Sequence, residues 1–315
     1  MITSLLRVVR YDVDDSTRDL LGKEVAERLD TAALGSDSGE AILASIGAHA
    51  LSRYLPGRIL QALRVFTATG SHALILGNLP SQLFPPTPIT GFADEIRLGP
   101  TNALHFGLIQ LLGVTPFAVD YENAGRLIRN VVPNPAAAGT TSSWGADSEF
   151  FWHTDNPHLP FGTPGSDPRR YVPSYLTFYA VRNDEQVPTE LAAVTDALDL
   201  LPSQTQQQLM RPEFEVGAPA SNDAAFALSG TAVLEFGVDG HRARYDAGTT
   251  RGLTPAAVSA LADWSSALTG MPGRELVLNP GDFLIFDNYR VLHRRRAFNP
   301  GPTPTARWLR RCYAS

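Results

Sequence analysis

Three side chains in this sequence have the types and the setting to hold one metal ion: His153, Asp155 and His293. The first two lie in Phe150-Phe151-Trp152-His153-Thr154-Asp155, a run of strand composition. In an extended strand, residues i and i+2 project to the same side. His153 and Asp155 should therefore face one site, with Phe151 on their side and Trp152 turned away. The pair offers one neutral nitrogen and one anionic oxygen. That is two-thirds of the 2-His-1-carboxylate triad that binds iron(II) with open positions.

The third ligand must come from elsewhere among the seven histidines. His293 stands out by context. It follows the turn Pro280-Gly281-Asp282, the apolar strand Phe283 to Phe286 and the turn formers Asp287-Asn288. His158 competes, but it lies in a loop three residues past the aspartate and is less well aimed. A lone His-x-Asp pair is commonly just a hydrogen-bonding pair, so the assignment leans on the arginines downstream.

Those arginines lie in Ala306-Arg307-Trp308-Leu309-Arg310-Arg311-Cys312-Tyr313. Strand alternation puts Arg307, Leu309 and Arg311 on one face, with the two guanidiniums ~13 Å apart at ~3.3 Å per residue. Inward-facing cations need anionic partners. A dicarboxylate such as 2-oxoglutarate suits bidentate arginine recognition. A salt bridge to an aspartate is the structural alternative.

The elements that must position these residues follow from the rest of the chain. Its 315 residues suit one large domain, and 43% hydrophobic with 18% charged residues is a globular composition. A net charge of −6 argues against a nucleic-acid binder, and no apolar run approaches the length of a membrane span. The N-terminus lacks a signal-peptide stretch, so a soluble, cytoplasmic protein is expected. Cys312 is the only cysteine, which excludes an internal disulfide and a cysteine-based zinc site. Lys23 is the only lysine among 26 basic residues, so a single arginine carries little information by itself.

Residues 1–115 read as mostly helical. Helices are expected over Ser16 to Leu29, from an Asp37/Glu40 capping box to about Arg53, from Pro56 to Gly70, and over Thr101 to Leu112, with a short buried strand at Ala73 to Leu76. From about Arg126 strands dominate: Arg126–Val132, Glu149–Thr154, Ser174–Val181, Ala232–Phe236, Arg242–Tyr245, Glu275–Leu278, Phe283–Phe286 and Arg307–Tyr313. Helices at Asp196–Met210 and from Thr254-Pro255 to Gly270 interrupt them. The fold class expected is α+β: a jelly-roll (double-stranded β-helix) core over 116–315, with a helical N-terminal region packed outside, in a single domain.

Taken together, His153-Thr154-Asp155, the Gly281-Asp282 turn, His293 and an arginine fourteen residues later resemble the 2-oxoglutarate-dependent oxygenases of the taurine dioxygenase type. Within them the chain is similar to the clavaminate synthase-like branch, which includes arginine and asparagine oxygenases. Gly125 to Pro133, Phe151 to Thr154, Arg169 to Val194 and the Gly77-Asn78-Leu79-Pro80 strand end carry the likeness further, over roughly residues 10–315.

The resemblance implies that His153, Asp155 and His293 bind Fe(II), with 2-oxoglutarate and O2 as co-substrates. It implies that Arg307 and Thr189 hold the distal carboxylate of 2-oxoglutarate, and that Arg311 grips a substrate carboxylate. The reaction implied is hydroxylation of an unactivated C–H bond of a free or modified L-amino acid, in specialised metabolism such as antibiotic biosynthesis. Amino-acid oxygenases of this branch often carry Glu where this chain has Asp155, which loosens the expected contact between that carboxylate and a substrate amine. Related halogenases carry Gly or Ala there, so Asp155 points to hydroxylation.

Asp223, Asp239 and Asp246 lie where this branch places residues that read a basic side chain. The proline-rich loop Asn156 to Arg170 is either a lid or an ordinary surface loop. Two other readings remain: an oxygenase of a non-amino-acid anion or carrier-bound intermediate, and a jelly-roll binding protein without catalysis.

Overall fold

The computed structural model describes residues 4–31, 39–163, 165–219, 222 and 226–315. Its helices are α1 (Asp15–Thr31), α2 (Gly39–Tyr54), α3 (Gly57–Val65), α4 (Gly99–Leu111), α5 (Val194–Leu198), α6 (Ser203–Leu209) and α7 (Pro255–Gly270). The first eight strands are β1 (Val8–Asp12), β2 (Ala73–Gly77), β3 (Pro116–Phe117), β4 (Arg129–Val131), β5 (Phe150–His153), β6 (Tyr175–Arg182), β7 (Thr189–Ala193) and β8 (Phe214–Gly217). The rest are β9 (Ala227–Thr231), β10 (Leu234–Gly237), β11 (Gly240–Ala243), β12 (Thr250–Gly252), β13 (Arg274–Leu276), β14 (Phe283–Asp287), β15 (Val291–Arg295) and β16 (Trp308–Ala314).

Two sheets build the core. The larger runs β1-β2-β14-β6-β16-β3, with β4 also on β16; the smaller runs β13-β7-β15-β5. Their inner faces share one apolar cluster. Leu176, Phe178, Leu284, Phe286 and Leu309 from the larger sheet meet Leu191, Ala193 and Val291 from the smaller. This is the two-layer solution for sheets with one apolar face each. The outer face of the larger sheet is covered by α1 to α4, where Leu21, Leu51, Leu63 and Leu104 pack on Leu74, Tyr179 and Ile285. The outer face of the smaller sheet is covered by α5 and α7, with Trp264 buried beside Trp152, Ala192 and Leu292.

Local chemistry explains several boundaries. Thr254 caps α7 by accepting from the Ala257 amide, and Pro255 takes the first helical position. The helix expected over Asp196–Met210 is two helices, because Pro202 breaks it between α5 and α6. β1 lies in the stretch read as helical and pairs parallel with β2. Asp37, the expected cap of α2, lies outside the described residues. No described helix is long and apolar enough to cross a membrane.

Two buried histidines make this fold acid-sensitive. His72 accepts from the Arg7 amide through Nδ1 at 2.9 Å, and His105 pairs with the Thr177 hydroxyl at 2.8 Å. Burial, reinforced by nearby arginines, lowers the first to about 4 and the second to about 3. The unfolded chain binds these protons below the ordinary histidine pKa of about 6.5, whereas the folded chain resists them. Stability is therefore full above about pH 6.5 and falls as pH drops toward 4, by on the order of 1–2 kcal/mol per histidine at pH 5. Urea midpoints at pH 7 and pH 5 check this; equal midpoints would contradict it.

Candidate active site

β15 lies between β7 and β5 in the smaller sheet, and its register sets His293 directly opposite His153. The two rings are 4.0 Å apart between centroids. Asp155 follows just after β5 and turns its carboxylate to both. Its Oδ1 lies 3.5 Å from His153 Nε2 and 3.7 Å from His293 Nε2. One ligand atom from each residue lies within 4.8 Å of the others, and all three residues are buried. The triad read from sequence converges.

The geometry shows how each ligand is held. His153 Nδ1 donates to the Phe151 carbonyl at 2.7 Å, which leaves Nε2 with its lone pair toward the site. That Nε2 is buried without a hydrogen-bond partner. Burial, then the neighbouring His153, pushes His293 well below the ordinary histidine range, so its ring is neutral. Burial raises the Asp155 carboxyl, but Arg311 and the two histidines outweigh it and hold it below the usual carboxylate range. Two imidazoles and one ionised carboxylate around an orphaned nitrogen fit a divalent cation such as iron(II).

Asp155 is clamped through its backbone by a residue the sequence reading used only as a turn former. Asn288 accepts from the Asp155 amide at 2.9 Å and donates to its carbonyl at 3.1 Å and to the Pro173 carbonyl at 3.0 Å. The Asn288 side chain is fully buried, so these bonds are undiluted by water.

One expectation is overturned. Phe151 does not share the metal side; it is half exposed, and Phe150 stacks on the His153 ring at 3.8 Å. The cause is a bulge. His293 pairs with His153 and Arg295 with Phe150, so two steps on β15 oppose three on β5. The extra residue inverts the alternation N-terminal to His153. Trp152 packs away from the site, under α7.

Beside the triad, one cleft brings together Thr189, His293, Arg295, Arg307, Leu309 and Arg311. Arg307 and Arg311 share the face that alternation assigned them. Arg307 is buried, donates to the Thr189 hydroxyl at 3.3 Å, and leaves its Nε without a partner. Among the described residues no carboxylate comes within salt-bridge distance of it. Burial, with Arg295 adding repulsion, lowers its pKa to about 9. A buried cation facing a second cation is costly unless an anion joins it. The distal carboxylate of 2-oxoglutarate fits that requirement. Arg295 was missed in the sequence, although it stands two residues after His293 on the same strand. It also anchors the 142–148 loop by donating to the Ser142 and Ala146 carbonyls.

Arg311 is engaged differently from Arg307. Its Nη1 donates to Asp155 Oδ2 at 2.6 Å and its Nη2 to Glu122. The Asp155 oxygens are thus divided, one toward the histidines and one on Arg311. Glu122 in turn accepts from Arg129 at 3.2 Å and from the Tyr313 hydroxyl at 2.7 Å. Neither Glu122 nor Arg129 was singled out in the sequence, because nothing local links them to Asp155. Arg311 Nε remains buried and unpartnered.

The three aspartates considered for substrate reading separate. Asp246 spends one carboxylate oxygen on its own turn, accepting from Gly248 and Thr249. Asp239 lines a larger cavity of about 570 Å³, with Thr163, Ser166, Arg242 and Tyr289, that contains none of the triad. Asp223 lies outside the described residues. The smaller cleft holds the metal-binding chemistry and is the candidate site despite its size. The loop Asn156 to Arg170 is pinned in its first half, where Leu159 and Phe161 are buried and Arg244 donates to the Leu159 carbonyl at 3.1 Å. Its second half rims the larger cavity.

Comparison with known proteins agrees with this geometry. Residues 273–313 match the taurine catabolism dioxygenase TauD, TfdA family, a segment that spans His293, Arg307 and Arg311. The chain is 24% identical to enduracididine beta-hydroxylase of Streptomyces hygroscopicus, over 98% of this chain and 93% of that protein. It is 29% identical to clavaminate synthase 2 of Streptomyces clavuligerus, over 84% and 81%. In structure it is similar to an asparagine oxygenase complexed with Fe(II), (2S,3S)-3-hydroxyasparagine and succinate. The TM-score is 0.80 at 23% identity, covering 96% of this chain and 92% of that one. The matching fold is that of the TauD-like oxygenases, with mixed helices and sheets around a jelly-roll core. With its triad, its C-terminal arginines and its near full-length relatives, the chain is similar to oxygenases of the taurine dioxygenase type, clavaminate synthase 2 among them.

Proposed function

We propose that this protein is an iron(II)- and 2-oxoglutarate-dependent dioxygenase that hydroxylates an unactivated C–H bond of a free or modified L-amino acid. The observation that carries the reading is the convergence of His153, Asp155 and His293 beside the buried, carboxylate-free Arg307. The relatives named above are an amino-acid hydroxylase and a clavaminate synthase, and the similar solved structure holds an amino-acid product with succinate.

When bound, iron(II) with 2-oxoglutarate supplies the activation of O2 and the oxidising power for C–H cleavage, and the co-substrate leaves as succinate and CO2. The residues of this chain do the rest. His153, Asp155 and His293 hold the metal and leave coordination positions open. Arg307 and Thr189 bind the distal carboxylate, and Arg295 adds positive potential beside it. Phe150, Phe178 and Val131 wall the cleft with apolar surface and keep water out. Arg311 fixes the second oxygen of Asp155 and offers its free Nε edge to a substrate carboxylate. The substrate is thereby positioned next to the metal, which is the main contribution a protein makes to such chemistry. We place the reaction in the cytoplasm, where free amino acids and 2-oxoglutarate are both abundant.

A binding protein that had lost catalysis would not need to keep all three ligands converged, and a non-amino-acid anion is not favoured by the relatives. The test is a screen of free L-amino acids for succinate formation above the rate without substrate, at matched iron and 2-oxoglutarate. At least one should couple, and Arg311→Ala should raise its KM by roughly 30-fold or more, the low end of removing one partner of a buried charge pair. Tight coupling with no amino acid, or an unchanged KM in the variant, would contradict the assignment.

A further inference from the structure

Of the three ligands, only Asp155 lies outside a strand. β5 stops at His153, and the β5–β15 ladder ends at the His293–His153 pair. Asn156 then takes a positive φ of 51°, which turns the chain away. Asp155 is nonetheless buried, so its amide and carbonyl need hydrogen-bond partners. The Asn288 side chain supplies both, accepting from the amide at 2.9 Å and donating to the carbonyl at 3.1 Å. A carboxamide presents an acceptor and a donor side by side, as a neighbouring strand would.

Asn288 itself stands on a stiff mount, the turn between β14 and β15. Its backbone amide donates to the Ser174 carbonyl at 2.9 Å. The neighbouring Asp287 carboxylate accepts from the Tyr289 and Arg290 amides at 2.8 and 3.1 Å, and from Arg290 Nε at 2.7 Å. Arg290 continues to the Gly70 and Ser71 carbonyls, and the Tyr289 hydroxyl donates to the Val172 carbonyl at 3.1 Å. The same hairpin carries His293. One element thus places His293 directly and Asp155 through Asn288.

The position of Asp155 has to be held against a pull. Arg311 donates to Oδ2 at 2.6 Å, while Oδ1 must stay 3.5 and 3.7 Å from the two histidine Nε2 atoms. With its main chain released, Asp155 is free to follow Arg311 and take Oδ1 out of line. A metal site works only within about 0.5 Å of its proper geometry, so a small shift of this backbone is enough to weaken it.

We propose that Asn288 is a positioning residue of the metal centre: by holding the Asp155 main chain it keeps Oδ1 opposite both histidines, and its loss weakens metal binding in the folded protein. Asn288 acts through Asp155 and is not itself a ligand. The inference rests on the reading that His153, Asp155 and His293 hold one divalent metal. Removing the outer partner of a ligand costs roughly 10–100-fold in metal affinity.

The experiment titrates the metal-free full chain anaerobically with Co(II) alone, whose visible absorption reports coordination geometry. Asn288→Ala should weaken Co(II) binding roughly tenfold or more and change the spectrum at saturation. Asn288→Asp keeps the acceptor for the Asp155 amide and gives up the paired donors; it should weaken binding too, and serves if the alanine variant does not fold. Asn183→Ala is the structural control. Asn183 is also buried, accepts from the Val187 amide at 3.0 Å and donates to the Val187 and Leu278 carbonyls, both at 3.1 Å, outside the cleft. Its loss should lower the denaturation midpoint and leave Co(II) affinity and spectrum as in wild type. Hydrogen exchange in the wild-type protein needs no variant: the Asp155 amide should be protected like that of Thr154, which donates to the Tyr245 carbonyl at 2.9 Å. Unchanged affinity and spectrum in the folded Asn288 variants, an equal loss of affinity in Asn183→Ala, or an unprotected Asp155 amide overturns the positioning role and leaves the metal-site reading standing. No saturable Co(II) binding to wild-type protein overturns that reading, and the inference with it.

Discussion

Arg307→Leu should raise the half-saturating concentration of 2-oxoglutarate by at least ~30-fold, at about 1.4 kcal/mol per tenfold and ~2–5 kcal/mol for removing one side of a buried charge pair. The free protein has already arranged this cation for an absent anion. Its guanidinium is buried, its Nε is orphaned, and its one side-chain partner among the described residues is the Thr189 hydroxyl. Arg295 sits close enough to repel it. Removing Arg307 relieves that repulsion, so the variant should fold as well as the parent or better in the absence of 2-oxoglutarate. The loss should appear only with the co-substrate. Steady-state saturation curves and unfolding with and without 2-oxoglutarate check both halves. A variant with unchanged saturation would remove Arg307 from the site.

Replacement of Asp155 should have the larger effect on the reaction. Asp155→Ala removes the one anionic metal ligand and also strands Arg311 on one side, since its Nη1 donates to Asp155 Oδ2. Hydrogen bonds to charged groups contribute about 1.5–3 kcal/mol, so the alanine variant should be destabilised by roughly that amount as well as losing turnover. Asp155→Asn separates the two consequences. Its amide oxygen can still accept from Arg311, while its neutral head is a poor ligand for a hard cation. The asparagine variant should keep most of the stability and lose hydroxylation to the same extent as alanine. Denaturation midpoints set beside turnover numbers decide this; an active Asp155→Ala variant would contradict the ligand assignment.

The converging triad and the buried arginine beside it were legible because each rests on short-range geometry. His153 and Asp155 are two residues apart, and Arg307 and Arg311 fall on one face of a single extended segment. The partnership of His293 with His153 depends on strand register, which context around His293 suggested and the β5–β15 pairing supplies. Where the local rule was broken, the reading failed. The bulge between Phe150 and His153 inverts the alternation, and no residue in that run announces it, because neither glycine nor proline is present to mark it. Phe150, not Phe151, became the wall of the site.

The remaining gaps have a common cause. Glu122 reaches Arg311 across 189 residues, and Asn288 reaches Asp155 across 133. Such contacts are set by sheet order, not by any pattern within a segment. β7 was passed over because Thr-Glu-Leu-Ala-Ala has little strand character; it is extended because neighbours on both sides pair with it. The break at Pro202 follows from the ordinary effect of proline and was available in the sequence.

The central claim is that His153, Asp155 and His293 bind one iron(II) with 2-oxoglutarate chelated beside it. Anaerobic titration of the protein with Fe(II) and then 2-oxoglutarate tests it most directly. A weak visible charge-transfer band should grow to one equivalent of each, and should be absent in His293→Ala under the same conditions. No band in folded wild-type protein, or an undiminished band in His293→Ala, would contradict the account.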